Sequence, residues 1–408
     1  MDTRTKDTAH VLGAASVMGL LSDRPRVLAL GEPTHDDGTL LWVRNDLFRG
    51  LVEEEGYRTI ALESDCLRGL VVDEYVTFGH GTLDEVMERG FSHGFGSYAA
   101  NRELVRWMRT HNEGRPVGER VRFAGFDGPL EISGAESPRQ ALSALYDHLA
   151  EQVEADLLPC TAGNLDRLLG SDGPWTAPEA MMDPARSVGQ SAEAGELRLI
   201  ADDLISLLDA QAPYLVGATS RAELAQAELY GRTAVGLLRY HHWLADTSPA
   251  RITRLLGVRD QMMAHNLLAL ADRGPVLVHA HNSHLQRERS SMRMWQGLME
   301  WWSAGALVAE RLGRGYAFLP TALGTLRHHG VEEPPQGSVE GVLYALGRER
   351  CVVDAPELAR VLGEGSAEAR ESPWFGYAPL DPAHLANSDG LVFVRDVTPS
   401  EGATSSGE

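Results

Sequence analysis

The chain has 408 residues, of which 58 are acidic and 37 basic, so its formal net charge is −21. So strong a negative charge repels nucleic acid and anionic membrane surfaces, and we expect neither as a partner. Lys6 is the only lysine, which almost excludes a Schiff-base lysine or a phosphate-loop lysine within a folded core. The length suits either one large α/β domain or two domains.

Three widely spaced cysteines, Cys66, Cys160 and Cys351, form no Cys-x-x-Cys motif. This spacing argues against a disulfide framework and a thiolate zinc site, and it favours a reducing compartment. The apolar run 11–21 is interrupted by glycines and lacks the layout of a signal peptide. No apolar stretch reaches the ~20 residues that a membrane-spanning helix needs. We therefore expect a soluble, cytoplasmic protein without a membrane partner.

Short apolar runs rich in β-branched residues alternate with longer amphipathic stretches. This pattern is typical of an α/β fold in which a mostly parallel central sheet is flanked by helices. The predicted strands are 26–30, 58–63, 121–126, 275–280, 315–319 and 390–395. Apolar spacings of three and four predict the helices of the first part. These helices lie near 40–55, 66–78, 98–112 and 137–153.

The stretch between the third and fourth predicted strands differs from the rest. Residues 160–192 are rich in Gly, Pro, Ser, Asp and Ala and predict an irregular excursion. Helical patterns follow at about 193–211, 219–244 and 249–272. We interpret 137–272 as a helical insertion or cap over an active-site cleft. The α/β core would then comprise 1–136 and 273–399, and 400–408 would be a disordered tail.

Chemically active side chains follow the first two predicted strands. Glu32 and His35 lie in the turn after the first strand, and Glu63 ends the second. Parallel strands present their carboxyl ends at one edge, where ligands of open α/β sheets bind. We expect these groups to face a substrate, although a surface-turn histidine and a capping carboxylate would also explain the pattern.

Further polar residues near this edge are candidates for catalysis, substrate binding or support of the site. Arg44 lies among apolar neighbours on the next predicted helix, so it either points inward toward Glu63 or a substrate oxygen, or is a solvated helix arginine. Asp127 ends the third strand and is either a turn former or a supporting carboxylate. The remaining candidates are Asp36, Asp65 and His93.

A histidine cluster follows the fourth predicted strand and comprises His279, His281 and His284 with Asn282. Strand alternation puts His279 and His281 on one face, and His284 follows on the turn. Three interpretations stay open, namely a zinc or iron site completed by carboxylates, metal-free proton transfer, and a hydrogen-bond network around Asn282. The chain has neither a His-Glu-x-x-His motif nor a Gly-x-Ser-x-Gly elbow, so water activated by a histidine is the simplest chemistry.

Ordered motifs spread over nearly the whole chain carry a family resemblance. They include Gly31-Glu32 with Thr34-His35, Glu63, Trp107-Met108-Arg109, Arg259-Asp260, Ala280-His281-Asn282 with His284, and Asp389-Gly390. In these motifs the chain resembles the erythromycin esterase family of α/β hydrolytic enzymes. The resemblance implies opening of a macrolide lactone by histidine-activated water, without a metal or another cofactor.

The resemblance also implies roles for individual residues. His35 would be the general base, Glu32 and Glu63 would orient it or the water, and Arg44 would help to hold that network. A neutral imidazole with a pKa near the ordinary value of ~6.5 suits the base. Two further histidines would bind or polarise the carbonyl and the leaving oxygen, namely His281 and His284.

The chain departs from the family pattern around the catalytic turn. Asp36 stands where glycine is usual, Thr39 where a carboxylate is usual, and Asn45 where a histidine is frequent. These departures motivate an alternative, a biosynthetic tailoring enzyme that uses the same groups for cyclisation, elimination or acyl transfer. A non-catalytic binder is a third hypothesis, which the complete set of imidazoles and carboxylates argues against. In every case the expected partner is a small molecule, and the sequence leaves the oligomeric state open.

Overall fold

The strands of the protein divide between two sheets and two short ribbons. The computed structural model describes residues 9–35, 38–131, 134–294, 297–363 and 367–399. In chain order the strands are β1 (Ala9–Val11), β2 (Val27–Glu32), β3 (Thr59–Asp65), β4 (Arg122–Asp127), β5 (Leu130–Glu131), β6 (Gly134–Ala135), β7 (Val276–His281), β8 (Arg289–Met294), β9 (Gly297–Trp302), β10 (Tyr316–Leu319), β11 (Thr321–Thr325), β12 (Arg350–Val353) and β13 (Leu391–Asp396).

The α-helices begin and end largely at residues that satisfy free backbone groups. In chain order they are α1 (Ala14–Leu20), α2 (Thr39–Glu55), α3 (Gly69–Phe78), α4 (Leu83–Arg89), α5 (Ala99–Asn112), α6 (Arg139–Gln152), α7 (Ala162–Leu169), α8 (Ala192–Ala218), α9 (Arg221–Leu244), α10 (Arg251–Ala271), α11 (Asn282–Leu285), α12 (Ala304–Leu312), α13 (Val339–Tyr344) and α14 (Ala355–Leu362). Ser220 and Glu223 form a capping box at the start of α9. Gly56 ends α2 with a φ of 65°, a left-handed conformation that glycine adopts without strain.

The larger sheet has five parallel strands in the order β10-β2-β7-β3-β4. It confirms the expected α/β fold with a parallel central sheet flanked by helices. The register pairs Glu32 with His281 and Leu62 with His279, so β2, β7 and β3 end at the same level. The side chains at their carboxyl ends are therefore brought to one edge of the sheet.

The predicted strands correspond to observed ones, but they do not all belong to this sheet. Five of the six lie in it, with ends that differ by no more than two residues. The sixth, 390–395, is β13, which lies instead in a second sheet with the order β1-β12-β13-β11. This sheet mixes a parallel pair with antiparallel pairs, and β1, β11 and β12 were not predicted. The antiparallel ribbon of β8 and β9 was missed as well.

Of the helices between β6 and β7, α6 to α9 share a hydrophobic cluster, to which the turn after β3 contributes Cys66 and Leu67. Its buried residues include Leu142, Leu145, Leu204 and Leu238. The excursion predicted to be irregular at 160–192 contains the short helix α7, which Thr161 caps at its start. The last of these helices, α10, packs against β4, β9 and α12. The division into an insertion and two core segments stays a prediction, and the predicted tail at 400–408 lies outside the described residues.

Within the described part of the chain, no helix has both the length and the apolar character that a bilayer crossing requires.

Candidate active site

His35 lies in the turn after β2, between two buried carboxylates. Its side chain is 37 % exposed, whereas those of Glu32 and Glu63 are 5 % and 4 % exposed. Nδ1 of His35 lies 2.8 Å from Oε1 of Glu32, and Nε2 lies 3.7 Å from Oε1 of Glu63. The imidazole is thus oriented by its two neighbours while a substantial part of it remains accessible to a substrate.

Glu63 of β3 is the point at which several elements meet. Its Oε2 accepts the backbone N–H of His281 at 2.8 Å, and its Oε1 accepts Nη2 of Arg259 at 3.0 Å. Nε2 of His284 lies 3.4 Å from the same Oε1. Burial alone would raise the pKa of Glu63, but the charges of His284, His35 and Arg259 outweigh it and hold that pKa well below its ordinary value. Glu63 is therefore a persistent anion and a poor proton acceptor.

His284 is bound on its other side by Asp260. Nδ1 of His284 lies 3.0 and 3.1 Å from the two oxygens of Asp260, which has no exposed side-chain area. Asp260 also accepts the indole N–H of Trp301 and the backbone N–H of Ala304, each at 2.7 Å. Burial opposes the charged form of His284, but Asp260 and Glu63 more than compensate and raise its pKa.

The two histidines are arranged alike around Glu63. Each has Nδ1 on its own carboxylate, at 2.8 Å for His35 with Glu32 and 3.0 Å for His284 with Asp260. Each directs Nε2 toward Oε1 of Glu63, at 3.7 and 3.4 Å. Two imidazole–carboxylate pairs thus converge on one oxygen, an arrangement that can supply both an acid and a base to one substrate.

The expectation of a neutral His35 with an ordinary pKa is wrong. Burial lowers the pKa of His35, but the charge of Glu63 and the hydrogen bond to Glu32 overcome this and raise it to about 9. Burial also raises the pKa of Glu32, against the hydrogen bond and charge of His35. In the resting site the imidazole therefore holds a proton near neutral pH, and it acts as a base only in the fraction of molecules that has lost it.

A chain of charged groups extends from Glu63 toward the surface. Arg259 binds Asp127 with Nη2 at 2.6 Å and Nε at 3.0 Å, and Nε2 of His93 lies 3.2 Å from the same carboxylate. Burial opposes the ionised form of Asp127, but Arg259 and His93 hold its pKa below the ordinary value. His93 has a φ of 55°, an uncommon conformation for a residue other than glycine. Its Nδ1 lies 2.9 Å from Glu131, whose side chain is 42 % exposed.

Arg44 and His279 lie beneath the turn that carries His35. Arg44 is 1 % exposed and donates to the side-chain oxygens of Asn45 at 2.7 Å and Asn101 at 2.8 Å. It points inward, as one of the two expectations held, but these hydrogen bonds go to two amide side chains, and Glu32 and Glu63 share with it the lining of a small cavity. Nε2 of His279 lies 3.5 Å from Oε2 of Glu32. Burial holds the pKa of His279 well below its ordinary value, so this buried imidazole is neutral.

His281 and Asn282 shape the end of β7. Nδ1 of His281 accepts the backbone N–H of Ser283 at 3.2 Å and caps α11, and burial lowers its pKa to about 3. Asn282 exchanges hydrogen bonds with the backbone of Thr321 at 3.0 and 3.2 Å. A Cβ at Gly31 would lie 2.1 Å from Oδ1 of Asn282, so only glycine fits beside this clamp.

The other candidate residues occupy varied positions. Asp65 accepts the backbone N–H groups of Leu67 at 2.7 Å and Arg68 at 3.1 Å, so it shapes the turn after β3. Burial is the main reason that its pKa is raised to about 6. Asp36 lies outside the described residues. Thr39 forms a clasp with Thr398, whose backbone N–H it accepts at 3.1 Å.

No cluster of three or more His, Cys, Asp or Glu side chains in the described ranges has a geometry that could hold a metal ion. In two of the histidines Nδ1 already faces a carboxylate, and in a third it accepts a backbone N–H. These contacts fix the orientation of the three rings.

Sequence reasoning did not single out three residues that complete the site. Arg259 and Asp260 are neighbours on α10, yet one binds Glu63 and the other His284. Trp301 of β9 reaches Asp260 from the ribbon that was not predicted. The Arg259-Asp260 motif was a signal that could have identified the first two, since it belongs to the family resemblance.

The parallel sheet and the two imidazole–carboxylate pairs at its carboxyl edge define an α/β protein with a histidine–carboxylate site. The family model described as "Erythromycin esterase" matches residues 52–397, which is most of the chain. The protein therefore belongs to the erythromycin esterase family.

Two relatives are similar in sequence. Erythromycin esterase type II of Escherichia coli is 30 % identical over 104 residues, which is 26 % of this chain and 24 % of that enzyme. The match thus spans about a quarter of the length of that relative. The putative hydrolase YbfO of Bacillus subtilis (strain 168) is 21 % identical over 400 residues, covering 92 % of this chain and 84 % of YbfO.

Solved structures share the fold over almost the full length. A Bacillus cereus protein has a TM-score of 0.72 at 18 % identity, with 98 % of each chain covered. A succinoglycan biosynthesis protein has a TM-score of 0.68 at 15 % identity, covering 97 % of this chain and 96 % of the other. A mutant of the erythromycin esterase EreC in its open conformation has a TM-score of 0.65 at 19 % identity, with 93 % of each covered. At these identities the likeness concerns the fold.

Proposed function

We propose that the protein hydrolyses a lactone or ester of a natural product with water activated by His35, without a metal. The observation that carries the proposal is the placement of His35, a partly exposed imidazole held at 2.8 Å by Glu32 and at 3.7 Å by Glu63. Membership of the erythromycin esterase family supports hydrolysis as the reaction class. The same scaffold could serve a biosynthetic tailoring enzyme, and the experiment below separates the two.

In the proposed reaction the deprotonated form of His35 takes a proton from water through Nε2. The water oxygen adds to the acyl carbon, and the carbonyl electrons move onto the carbonyl oxygen. When the intermediate collapses, the acyl C–O bond breaks with its electron pair on the alkoxy oxygen. That oxygen receives a proton from Nε2 of His284, whose pKa is raised by Asp260 and Glu63 against the effect of burial.

The fixed charges of the site support these roles of His35 as the base and His284 as the acid. Glu63 and Glu32 orient His35 from both sides, so less solvent has to reorganise when the imidazole gains its proton. Arg259 balances Glu63 and Asp127, which prevents Glu63 from competing with His35 for the proton of water. His279 stays neutral behind Glu32 and adds no charge.

The test is mass spectrometry of a 14-membered macrolide and a panel of simple lactones and esters, incubated with protein in water enriched in oxygen-18. We expect a product that has gained one water, with the heavy oxygen in the new carboxylate. His35→Ala should lower the rate by about 10²–10⁴, the usual worth of a general base. His80→Ala is the matched control, since the side chain of His80 is 72 % exposed and pairs with Glu74.

Turnover that persists in His35→Ala would refute the role of His35. A product without added water would favour the tailoring enzyme, in which the same groups move protons without hydrolysis. If none of these substrates is changed, biosynthetic intermediates are the compounds to test next.

A further inference from the structure

Asp260 is a fully buried carboxylate at the meeting point of four elements. It lies on α10 and receives Nδ1 of His284 on α11, the indole N–H of Trp301 on β9 and the backbone N–H of Ala304 on α12. These contacts are 2.7–3.1 Å long, and they use both oxygens. Three donors thus converge on one carboxylate.

This arrangement decides which nitrogen of His284 carries a proton. A carboxylate that is surrounded by donors can only accept, so the hydrogen on Nδ1 is fixed toward Asp260. Nε2 is thereby left to face the reaction centre, 3.4 Å from Glu63. The charged groups that act on His284 are Asp260 and Glu63, which favour its cation, and Arg259, which opposes it together with burial.

His284 and His35 differ in access to water although their contacts are alike. The side chain of His284 is 8 % exposed and that of His35 is 37 % exposed. The accessible imidazole is suited to meet a water molecule. The enclosed imidazole, whose orientation its partner fixes, is suited to deliver a proton to a substrate atom that has displaced solvent.

We propose that Asp260 is a positioning residue that fixes His284 as the proton donor opposite His35. The inference rests on the proposed function and adds to it the group that sets the tautomer of the acid. In the step concerned, the Nε2–H bond of His284 breaks as its proton moves to the alkoxy oxygen that leaves the acyl carbon. His284 ends neutral, with its remaining hydrogen on Nδ1 and directed at Asp260.

An Asp260→Asn variant keeps the size of the side chain but offers one acceptor oxygen to three donors. The amide group will tend to face His284 with its N–H, and Nδ1 must then be the acceptor and Nε2 the protonated nitrogen of a neutral ring. With His284 fixed in this tautomer the site keeps its shape, but the imidazolium form of His284 that donates the proton is lost. We expect kcat to fall by about 10²–10⁴ while KM changes only a few-fold.

The decisive readout is nitrogen NMR of the full-length protein labelled at histidine, because it needs no substrate. The resonances of His284 are identified with a His284→Gln variant. In the unmodified protein we expect Nδ1 to carry hydrogen from pH 6 to pH 9 and the imidazole to lose its charge above the ordinary pKa of ~6.5. In Asp260→Asn we expect protonation to move to Nε2 and the pKa of His284 to drop below that value, while Nδ1 of His35 keeps its hydrogen toward Glu32.

Two further variants separate positioning from simple structural support. Trp301→Phe removes one hydrogen bond from Asp260 but leaves its contact with His284, so the tautomer of His284 should persist even if stability falls. Asp272→Asn, just beyond the end of α10, alters a side chain that is 75 % exposed and should change neither the spectrum nor turnover.

Two results would overturn the proposal. One is an unprotonated Nδ1 of His284 in the unmodified protein at pH 7, whether or not any substrate is turned over. The other is an Asp260→Asn variant with the switched tautomer but an undiminished kcat. Turnover by His35→Ala tests the proposed hydrolysis, whereas the NMR spectrum of His284 tests the role of Asp260. The two proposals can therefore fail separately.

Discussion

Replacing Arg259 with methionine should destabilise the protein strongly, because it removes the cation between two buried carboxylates. Arg259 contacts Asp127 at 2.6 Å and Glu63 at 3.0 Å, and the carboxylates are 0 % and 4 % exposed. Methionine fills similar space without charge. Removing one partner from a buried ion pair costs about 3–5 kcal/mol, a large part of the roughly 5–15 kcal/mol by which domains are usually stable. We expect a loss of about 4 kcal/mol in the free energy of unfolding at pH 8.

The loss should depend on pH with a definite sign. Against the effect of burial, Arg259 helps to hold the pKa of Glu63 and of Asp127 below their ordinary values. In the native protein their contribution is therefore present above the unfolded pKa of ~4 and is lost only as pH falls through the lowered values. Without Arg259 both pKa values rise, so protonation relieves part of the strain, and the difference between variant and native protein should shrink from pH 8 to pH 5.

Urea unfolding followed by tryptophan fluorescence measures this difference. Arg254→Met is the matched control on the same helix, since Arg254 is 44 % exposed and its ion pair with Asp246 lies near the surface. It should cost no more than about 1 kcal/mol, with no marked pH dependence. A cost for Arg259→Met that is equally small, or that grows as the pH falls, would refute the reasoning.

Three further outcomes are expected. If His35 is the base and His284 the acid, kcat/KM should rise with pH up to the lower of their two pKa values and fall above the higher, since the pKa of His35 is raised to about 9 and that of His284 is raised as well; a falling limb that begins near pH 6.5 would contradict it. Gly31→Ala should lower the free energy of unfolding in urea by about 2 kcal/mol or more, because a Cβ lying 2.1 Å from Oδ1 of Asn282 would break the hydrogen bonds between Asn282 and Thr321. Gly19→Ala is the control and should be tolerated, since no atom lies within 4 Å of a Cβ there. Dialysis against a chelator should leave turnover unchanged, and loss of turnover that added zinc restores would revive the metallohydrolase hypothesis.

Local sequence patterns predicted the parallel sheet closely, for a physical reason. Strands buried on both faces must be short and apolar, and the crossover helices between them must be amphipathic. Each element can therefore be recognised from a window of about ten residues. The strand around Val276 and the helix around Leu104 are examples that the structure bears out. The helix α7 has only eight residues and β1 only three, too few for a period to stand out, and both were missed. Strands β11 and β12 and the ribbon of β8 and β9 were missed as well.

The carboxyl-edge rule also placed several site residues correctly. Glu32 and His281 are the last residues of β2 and β7, whereas Glu63 lies two residues before the end of β3, and the observed register brings these strand ends to one edge. The end of a strand can be predicted from local sequence, and parallel pairing then brings the ends of neighbouring strands to the same edge of the sheet. No local pattern told whether His35 would be neutral, because its raised pKa depends on Glu63, which lies on another strand.

The sequence by itself determined the fold class, the family and the edge at which imidazoles and carboxylates gather, since these follow from periodicity, strand ends and ordered motifs. Only the tertiary structure decided which partners they have. Arg259 binds Glu63, which lies 196 positions away in the chain. Asp260, on the same helix, binds His284 and Trp301, although the apolar pattern of that helix indicates only which face is buried. Such contacts depend on how helix α10 packs against the sheet. This packing determines the charge and the tautomer of the histidines at the site, and a short stretch of sequence carries no information about it.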